Sequence, residues 1–272
     1  MAARSSHDLT RQYAAVGGHR IEYQWIGENT EGVPIVFLHE GLGSIELWRD
    51  FPAAVVAATG RAGLVYSRYG NGWSDPLSEP RRPEYMHVEA LEVLPALIDR
   101  LVGSLPLLIG HSDGASIGMI YAGSGYAVEG LVLVAPHVFV EDCSVAAIET
   151  IRGDFLATDL AEKVAKYHRD PAATFWGWND IWLSPEFRDW NIEKFLPAIS
   201  CPLLVVQGEE DDYGTSAQLD AIEAGVAGPV ERVIVAEARH SPHLSHLDLV
   251  VSAIAGFAQA FDRRVVGMPP TL

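Results

Sequence analysis

The chain has 272 residues, enough for one large domain or one domain with an insertion, and 49% of them are hydrophobic, ample for a sizeable core. Acidic residues outnumber basic ones by 36 to 19, for a net charge of −17. A phosphate backbone or an anionic membrane surface would be repelled, so nucleic acid and membrane are excluded as partners, and solubility is the plain reading of the charge.

Residues 1–13 are polar, with no apolar stretch of a secretory signal, and no run approaches the length of a membrane span. Cys143 and Cys201 are the only cysteines, too few for a disulfide framework. A cytoplasmic protein with reduced thiols is expected, although a bridge is compatible with their places near the two ends of an insertion. Residues 13–16 and 19–26 alternate like strands around a Gly17-Gly18 hairpin turn, and 27–34 form a polar loop. Residues 34–38 are continuously apolar, the pattern of a strand buried on both faces, and run into His39-Glu40-Gly41-Leu42-Gly43-Ser44. A helix over 47–59, a strand over 64–67 and a turn-rich loop through Trp73 to Pro76 follow. Residues 86–102 read as a helix with Pro95 kinking or breaking it.

Strands are expected at 105–109 and 131–135. Residues 141–200 differ: they are helical and amphipathic in places, as at 145–156 and 160–167, and hold Trp176, Trp178, Trp182 and Trp190. A buried strand resumes at 202–206, then a helix over 215–224, a strand over 231–236, a last helix over 247–263 and a loose tail from Pro269. Strands alternating with helices give an α/β fold with a mostly parallel central sheet, helices on both faces and a helical insertion. Ligands of such sheets bind at the carboxyl ends of the strands, and His39, Arg68, Ser112, His137, Asp211 and His240 each fall just after one.

The sharpest local signal is Gly110-His111-Ser112-Asp113-Gly114, which follows a buried strand and opens a small-residue helix. Such a strand–turn–helix forces the serine into a strained conformation with its hydroxyl exposed, while the free N–H groups of the helix N-terminus stand ready for a developing oxyanion. In this the chain resembles the α/β-hydrolase family, and the resemblance spans residues 13–263. It implies a core of residues 1–140 and 201–272 with a helical cap at 141–200. It also implies the order serine, acid, histidine, with Ser112 as nucleophile.

The acid then falls in Glu209-Glu210-Asp211-Asp212. The family position, three after the glycine, is Asp211; Asp212 and the two glutamates remain open. The base matches His240, with His243 as runner-up and His246 on the helix surface. A metal shared by these three histidines is not expected, because Pro242 interrupts the helical spacing and no carboxylate spacing matches. The oxyanion hole would use the N–H groups of Gly41 and Asp113. Here the chain departs from the family's His-Gly-x-x-Gly: Glu40 replaces a glycine, turned outward, paired with Arg68, or lying near the active site. Asp113 reads first as a helix N-terminal carboxylate and second as a partner for a cationic substrate group. His111 and His137 read as packed, hydrogen-bonded residues.

The substrate pocket is expected to draw on Glu40, Arg68, Trp73, Trp176, Trp178 and Trp182, with the tryptophans either an aromatic roof or the cap's own core. The implied activity is cofactor-free acyl transfer on a small, fairly hydrophobic ester or lactone. Two alternatives stand beside it: carbon–carbon hydrolysis of an aromatic ring-fission product, with Arg68 and Trp73 holding an acidic dienoate, and a non-catalytic receptor for a small ligand. A homodimer is compatible with the sequence, which does not fix the oligomeric state.

Overall fold

The computed structural model describes residues 11–27 and 32–265. The expectations for residues 1–10, for the middle of the polar loop (28–31) and for the tail from Pro269 lie outside them. Among the described residues eight strands form one sheet in the order β1-β2-β4-β3-β5-β6-β7-β8. The hairpin β1 (Gln12–Val16) and β2 (His19–Ile26) is antiparallel, and β2 joins β4 (Gly63–Tyr66) antiparallel. From there β3 (Ile35–Leu38), β5 (Leu107–His111), β6 (Gly130–Val134), β7 (Leu203–Gly208) and β8 (Val230–Val235) add in parallel.

Strands β3 to β7 are buried at every position, which is why they read as unbroken apolar runs: helices cover both faces. On one face Phe37, Trp48, Phe51, Val132, Val206, Ile254 and Phe257 pack beneath the helices Phe51–Thr59 and Leu247–Val265. On the other, Val36, Leu38, Leu64, Leu108, Met119, Leu133 and Val205 meet the elbow helix Asp113–Gly123 and the segment 85–102. The chain leaves β3 toward β4, then crosses back to place β5 on β3's other side. That reversal opens a crevice at the carboxyl ends of β3 and β5, the general ligand position of open α/β sheets.

Two helices differ from the expectation. The run from 47 is split into a 3-10 turn (Glu46–Trp48) and a helix beginning at Phe51, with Arg49 at φ 53° between them. Pro52 explains the break: lacking an N–H, it suits only a first helical turn. Residues 85–102 stay continuous past Pro95 by widening into π turns at Glu89–Val93 and Ile98–Val102, a wider turn relieving the clash of the ring with the preceding turn.

Between β6 and β7 lie the helices Asp142–Ala157, Leu160–Val164 and Pro171–Trp182 and the 3-10 turns Pro185–Phe187 and Glu193–Ala198. The last of these seats on the elbow helix, where a Cβ on Gly123 would stand 2.4 Å from the Phe195 carbonyl. Cys143 and Cys201 are unpaired. Among the described residues no helix is long and apolar enough to cross a membrane.

Candidate active site

Ser112 sits between β5 and the elbow helix at φ 52°, ψ −117°, one of four non-glycine residues with positive φ among those described. Such a conformation costs on the order of 1–3 kcal/mol and persists only where the surroundings impose it. Here Ser112 N–H is tied to the Val134 carbonyl at 2.9 Å, and the helix starts at once with Ala115 N–H on the Ser112 carbonyl. The two glycines of the motif are steric necessities. A Cβ on Gly110 would lie 2.4 Å from the Gly114 carbonyl oxygen, and one on Gly114 only 1.9 Å from that of Leu38. Gly114→Ala should therefore cost about 3 kcal/mol or more, at the upper end of overpacking. Gly118→Ala, four residues on, meets only Leu38 and Leu131 methyls at 3.6 and 3.7 Å and should gain about 0.5–1 kcal/mol from helix propensity. Thermal unfolding of both variants checks the contrast.

The structure brings Ser112, His240 and Asp211 together. His240 Nδ1 lies 2.8 and 3.1 Å from the two Asp211 oxygens, and its Nε2 lies 3.0 Å from Ser112 Oγ. An ionised carboxylate only accepts, so Nδ1 carries the hydrogen and bare Nε2 faces the hydroxyl. Asp211 also accepts from Tyr213 N–H (2.9 Å) and Gln207 Nε2 (3.3 Å). Burial alone would raise its pKa, but the hydrogen bond and charge of His240 and the Tyr213 amide hold it below the usual carboxylate range.

The competing candidates are placed elsewhere. Asp212 pairs with Arg239 at 2.8 Å on the surface, and Glu209 and Glu210 are exposed. His243 is buried edge-on to Trp48, Phe51 and His111, and His246 bonds Ser245 Oγ.

The loop after β3 is braced from within. Arg68 N–H donates to His39 Nε2 (2.9 Å), which leaves His39 Nδ1–H to donate to the Glu40 carbonyl at 2.6 Å. Asn71 Nδ2 donates to the carbonyls of Gly41 (3.0 Å) and Gly43 (3.1 Å), and Arg81 holds Asn71 Oδ1 at 3.0 Å. Trp178 lies on Gly41 so closely that a Cβ there would come within 2.1 Å of the indole.

Several expectations need correcting. Glu40 is neither turned outward nor paired with Arg68: its Oε2 faces His111 Nδ1 at 3.4 Å. Arg68 is only 2% exposed and gives Nη2 to the Glu40 backbone carbonyl (2.7 Å), with Asp113 at 3.6 Å. Its Nε and Nη1 are buried and meet no hydrogen-bond acceptor among the described residues. Asp113, 1% exposed, takes a 2.6 Å hydrogen bond from Tyr85 OH, which accepts from Trp182 Nε1 at 3.0 Å. Its Oδ2 is thus engaged inside the protein, and its Oδ1 is buried without a partner, at the helix N-terminus where the first reading placed this carboxylate. Trp73 turns to β2, its backbone N–H donating to Glu22 Oε2 (3.0 Å) and Arg11 lying over its ring. Trp176 packs on Phe155, Phe175 and Arg152 and lines a surface groove with Leu77 and Arg81. No described contact joins Trp73 or Trp176 to Ser112 or His240.

His111 is hydrogen-bonded as expected, Nε2 to the His240 carbonyl at 2.9 Å. His137 is packed against Trp182 and His240 but has no partner at Nδ1, and burial, with the charge of His240, pushes its pKa down to about 3. Tyr213, whose ring centroid is 4.5 Å from that of His240, Gln207, Asn71 and Tyr85 were not anticipated. Only Asn71 carried a usable signal, its position in the loop directly after β4.

The fold recurs in known proteins. At 20% identity and TM-score 0.69, the enol-lactonase from Burkholderia xenovorans LB400 covers 91% of this chain and is itself covered fully. A thermophilic esterase from Thermogutta terrifontis matches at 18% identity and TM-score 0.67, over 92% of this chain and 98% of its own. Proline iminopeptidase from Mycobacterium smegmatis matches at 18% identity and TM-score 0.69, over 94% and 100%. At these identities the likeness is one of fold. No curated protein matches the chain by sequence. The model of the alpha/beta hydrolase family matches residues 35–253, from β3 into the last helix. With that span covering the sheet from β3 onward and the loops that carry Ser112, Asp211 and His240, the chain belongs to the alpha/beta hydrolase family.

Proposed function

We propose that the protein is a serine hydrolase of small, fairly hydrophobic carboxylic esters or lactones. The observation that carries this reading is the 3.0 Å approach of His240 Nε2 to Ser112 Oγ, with Asp211 behind Nδ1. A serine hydroxyl is a poor nucleophile until a base takes its proton.

His240 accepts that proton as Oγ bonds to the carbonyl carbon, and Asp211 offsets the charge of the imidazolium. The N–H groups of Gly41 and Asp113 hold the oxyanion. His240 then gives its proton to the departing alkoxide oxygen, which in a lactone stays tethered to the acyl group. Water, deprotonated by His240, attacks the acyl-enzyme; the acid leaves and Ser112 regains its proton. Every group in this sequence is supplied by the chain, so the substrate is its one small-molecule partner.

Residues 141–200 serve as the cap, with Trp178 over Gly41 and Trp182 beside His137 giving the roof its aromatic character. The enol-lactonase and the esterase of the same fold support the substrate class by analogy. The burial of Arg68, only 2% exposed, disfavours the ring-fission alternative, because an acidic dienoate would need that cation within reach.

The test is intact-mass spectrometry after incubation with a fluorophosphonate. One adduct should form on wild type, map to Ser112 and be absent from Ser112→Ala. An ester and a lactone should then turn over faster than a dienoate. A folded wild type that takes no adduct would remove the serine-hydrolase reading.

A further inference from the structure

Among the titratable side chains at the site that take no part in the proton transfers above, Glu40 and His111 face each other. His111 ends β5 and is buried next to Ser112. Its Nε2 is 2.9 Å from the His240 carbonyl oxygen and its Nδ1 is 3.4 Å from Glu40 Oε2. A carbonyl only accepts, so Nε2 carries a hydrogen. A neutral ring would then turn the lone pair of Nδ1 toward a carboxylate oxygen. One more proton therefore belongs on the Nδ1–Oε2 axis.

The surroundings put it on His111. A carboxyl group gives up its proton more readily than an imidazolium, and the Glu40 side chain, 29% exposed, keeps a contact with water that His111 lacks. The other imidazoles facing the pair are His137, His243 and His240 around His111, and His39, His168 and His243 around Glu40. Of these, His39, His137, His168 and His243 are held neutral chiefly by burial. Arg68, the nearest guanidinium, reaches the backbone carbonyl of Glu40 rather than its carboxylate. Glu40 has little freedom to leave: its carbonyl accepts from His39, Arg68 and Gly43 N–H (3.0 Å), and its Oε2 fills the space where a Cβ on Gly43 would stand at 2.6 Å.

We infer that Glu40 and His111 form an ion pair of positioning residues that ties the loop of Gly41 to the loop of His240 and sets a positive charge beside the His240 ring. The ring centroids of His111 and His240 are 5.2 Å apart, so the charge opposes protonation of His240 and keeps it a free base to lower pH. The inference rests on the reading of His240 as the base. It gives the glutamate at this departure from the family pattern a task that glycine cannot perform.

Glu40→Gln keeps the size of the side chain and can donate its amide N–H to a neutral His111, so the geometry survives while the charge at His111 goes. The acid limb of kcat/KM for a short-chain p-nitrophenyl ester should then rise by about 0.5–1 pH unit. An unmoved limb, or one that falls because only an anion has been lost, overturns the inference. A direct readout needs no turnover: in 15N-labelled wild type at pH 7, both ring nitrogens of His111, assigned against His111→Asn, should be protonated. A bare Nδ1 there overturns it as well. Fluorophosphonate labelling of the same preparations separates the two failures. Labelled Ser112 with an unmoved limb sinks the ion pair alone, whereas unlabelled wild type sinks the base reading and the pair with it.

Discussion

Asp211→Asn should lower kcat by about 10³- to 10⁴-fold with little change in KM, whereas Asp212→Asn should stay within about twofold of wild type, because exposed ion pairs contribute little. The four neighbouring carboxylates differ in what they touch. Both oxygens of Asp211 receive hydrogens: Oδ1 from Tyr213 N–H and His240, Oδ2 from Gln207 and His240. An asparagine must turn its NH₂ toward one of these donors. If NH₂ takes the Oδ2 position it opposes Gln207 Nε2, and the amide carbonyl can still hold Nδ1–H, but the charge that balances the imidazolium is gone. If NH₂ takes the Oδ1 position it opposes the Tyr213 amide and donates to Nδ1, which moves the ring hydrogen to Nε2, facing Ser112. Neither arrangement restores a charged, correctly oriented base. Asp212 reaches only Arg239 on the surface. Steady-state kinetics of the two variants on one ester decides the matter: equal losses would displace Asp211 from the role, and a larger loss at Asp212 would reassign it.

The strands were legible because parallel strands buried on both faces must be apolar throughout, and Ser112 because its strained turn needs glycine at positions 110 and 114 for measurable steric reasons. Asp211 and His240 could be ranked only through the family's spacing, since nothing local separates Asp211 from Asp212. The pocket was least legible. Trp73 and Trp176 looked like Trp178 in composition, yet Arg11 and Glu22 claim the first and Phe155 and Arg152 the second. Tyr85 left no trace because its importance comes from standing between Asp113 and Trp182, residues 28 and 97 positions away. Glu40 was visible as a departure, but its partner was not: Arg68 was the nearer candidate by chemistry, and the fold turned that guanidinium to the backbone. Periodicity reports which face is buried; it does not report which buried polar groups meet.

The same buried imidazoles make stability steeply dependent on pH. His39, His137, His168 and His243 are all buried, and burial is the first cause of a lowered pKa in each: to about 3 at His137, to about 4 at His168, and well below the ordinary value at the other two. Two of them also accept backbone hydrogen bonds that protonation would break, His39 Nε2 from Arg68 and His168 Nδ1 from Gly72 at 2.9 Å. The sign follows from proton counting. Unfolded histidines titrate near 6.5, so below that pH the unfolded chain binds protons that the folded one refuses, and stability falls as pH falls. Each such group costs about 1.4 kcal/mol per pH unit between 6.5 and its own folded value, so the four together weigh heavily against the marginal stability of an ordinary domain. Glu89 works the other way: its pKa is raised, chiefly by burial, so it binds a proton more readily folded than unfolded and returns part of the loss in acid. Asp211 and Glu40, held below the usual range, keep their contribution through this window and lose it only in stronger acid. Urea unfolding at pH 7, 6.5, 6 and 5.5 should give a steep fall below 6.5. His243→Phe, which leaves an apolar ring against Trp48 and Phe51, should flatten that fall by about 1.4 kcal/mol per pH unit. A stability that stays level from pH 7 to 5.5 would mean that these imidazoles are readily protonated inside the folded chain.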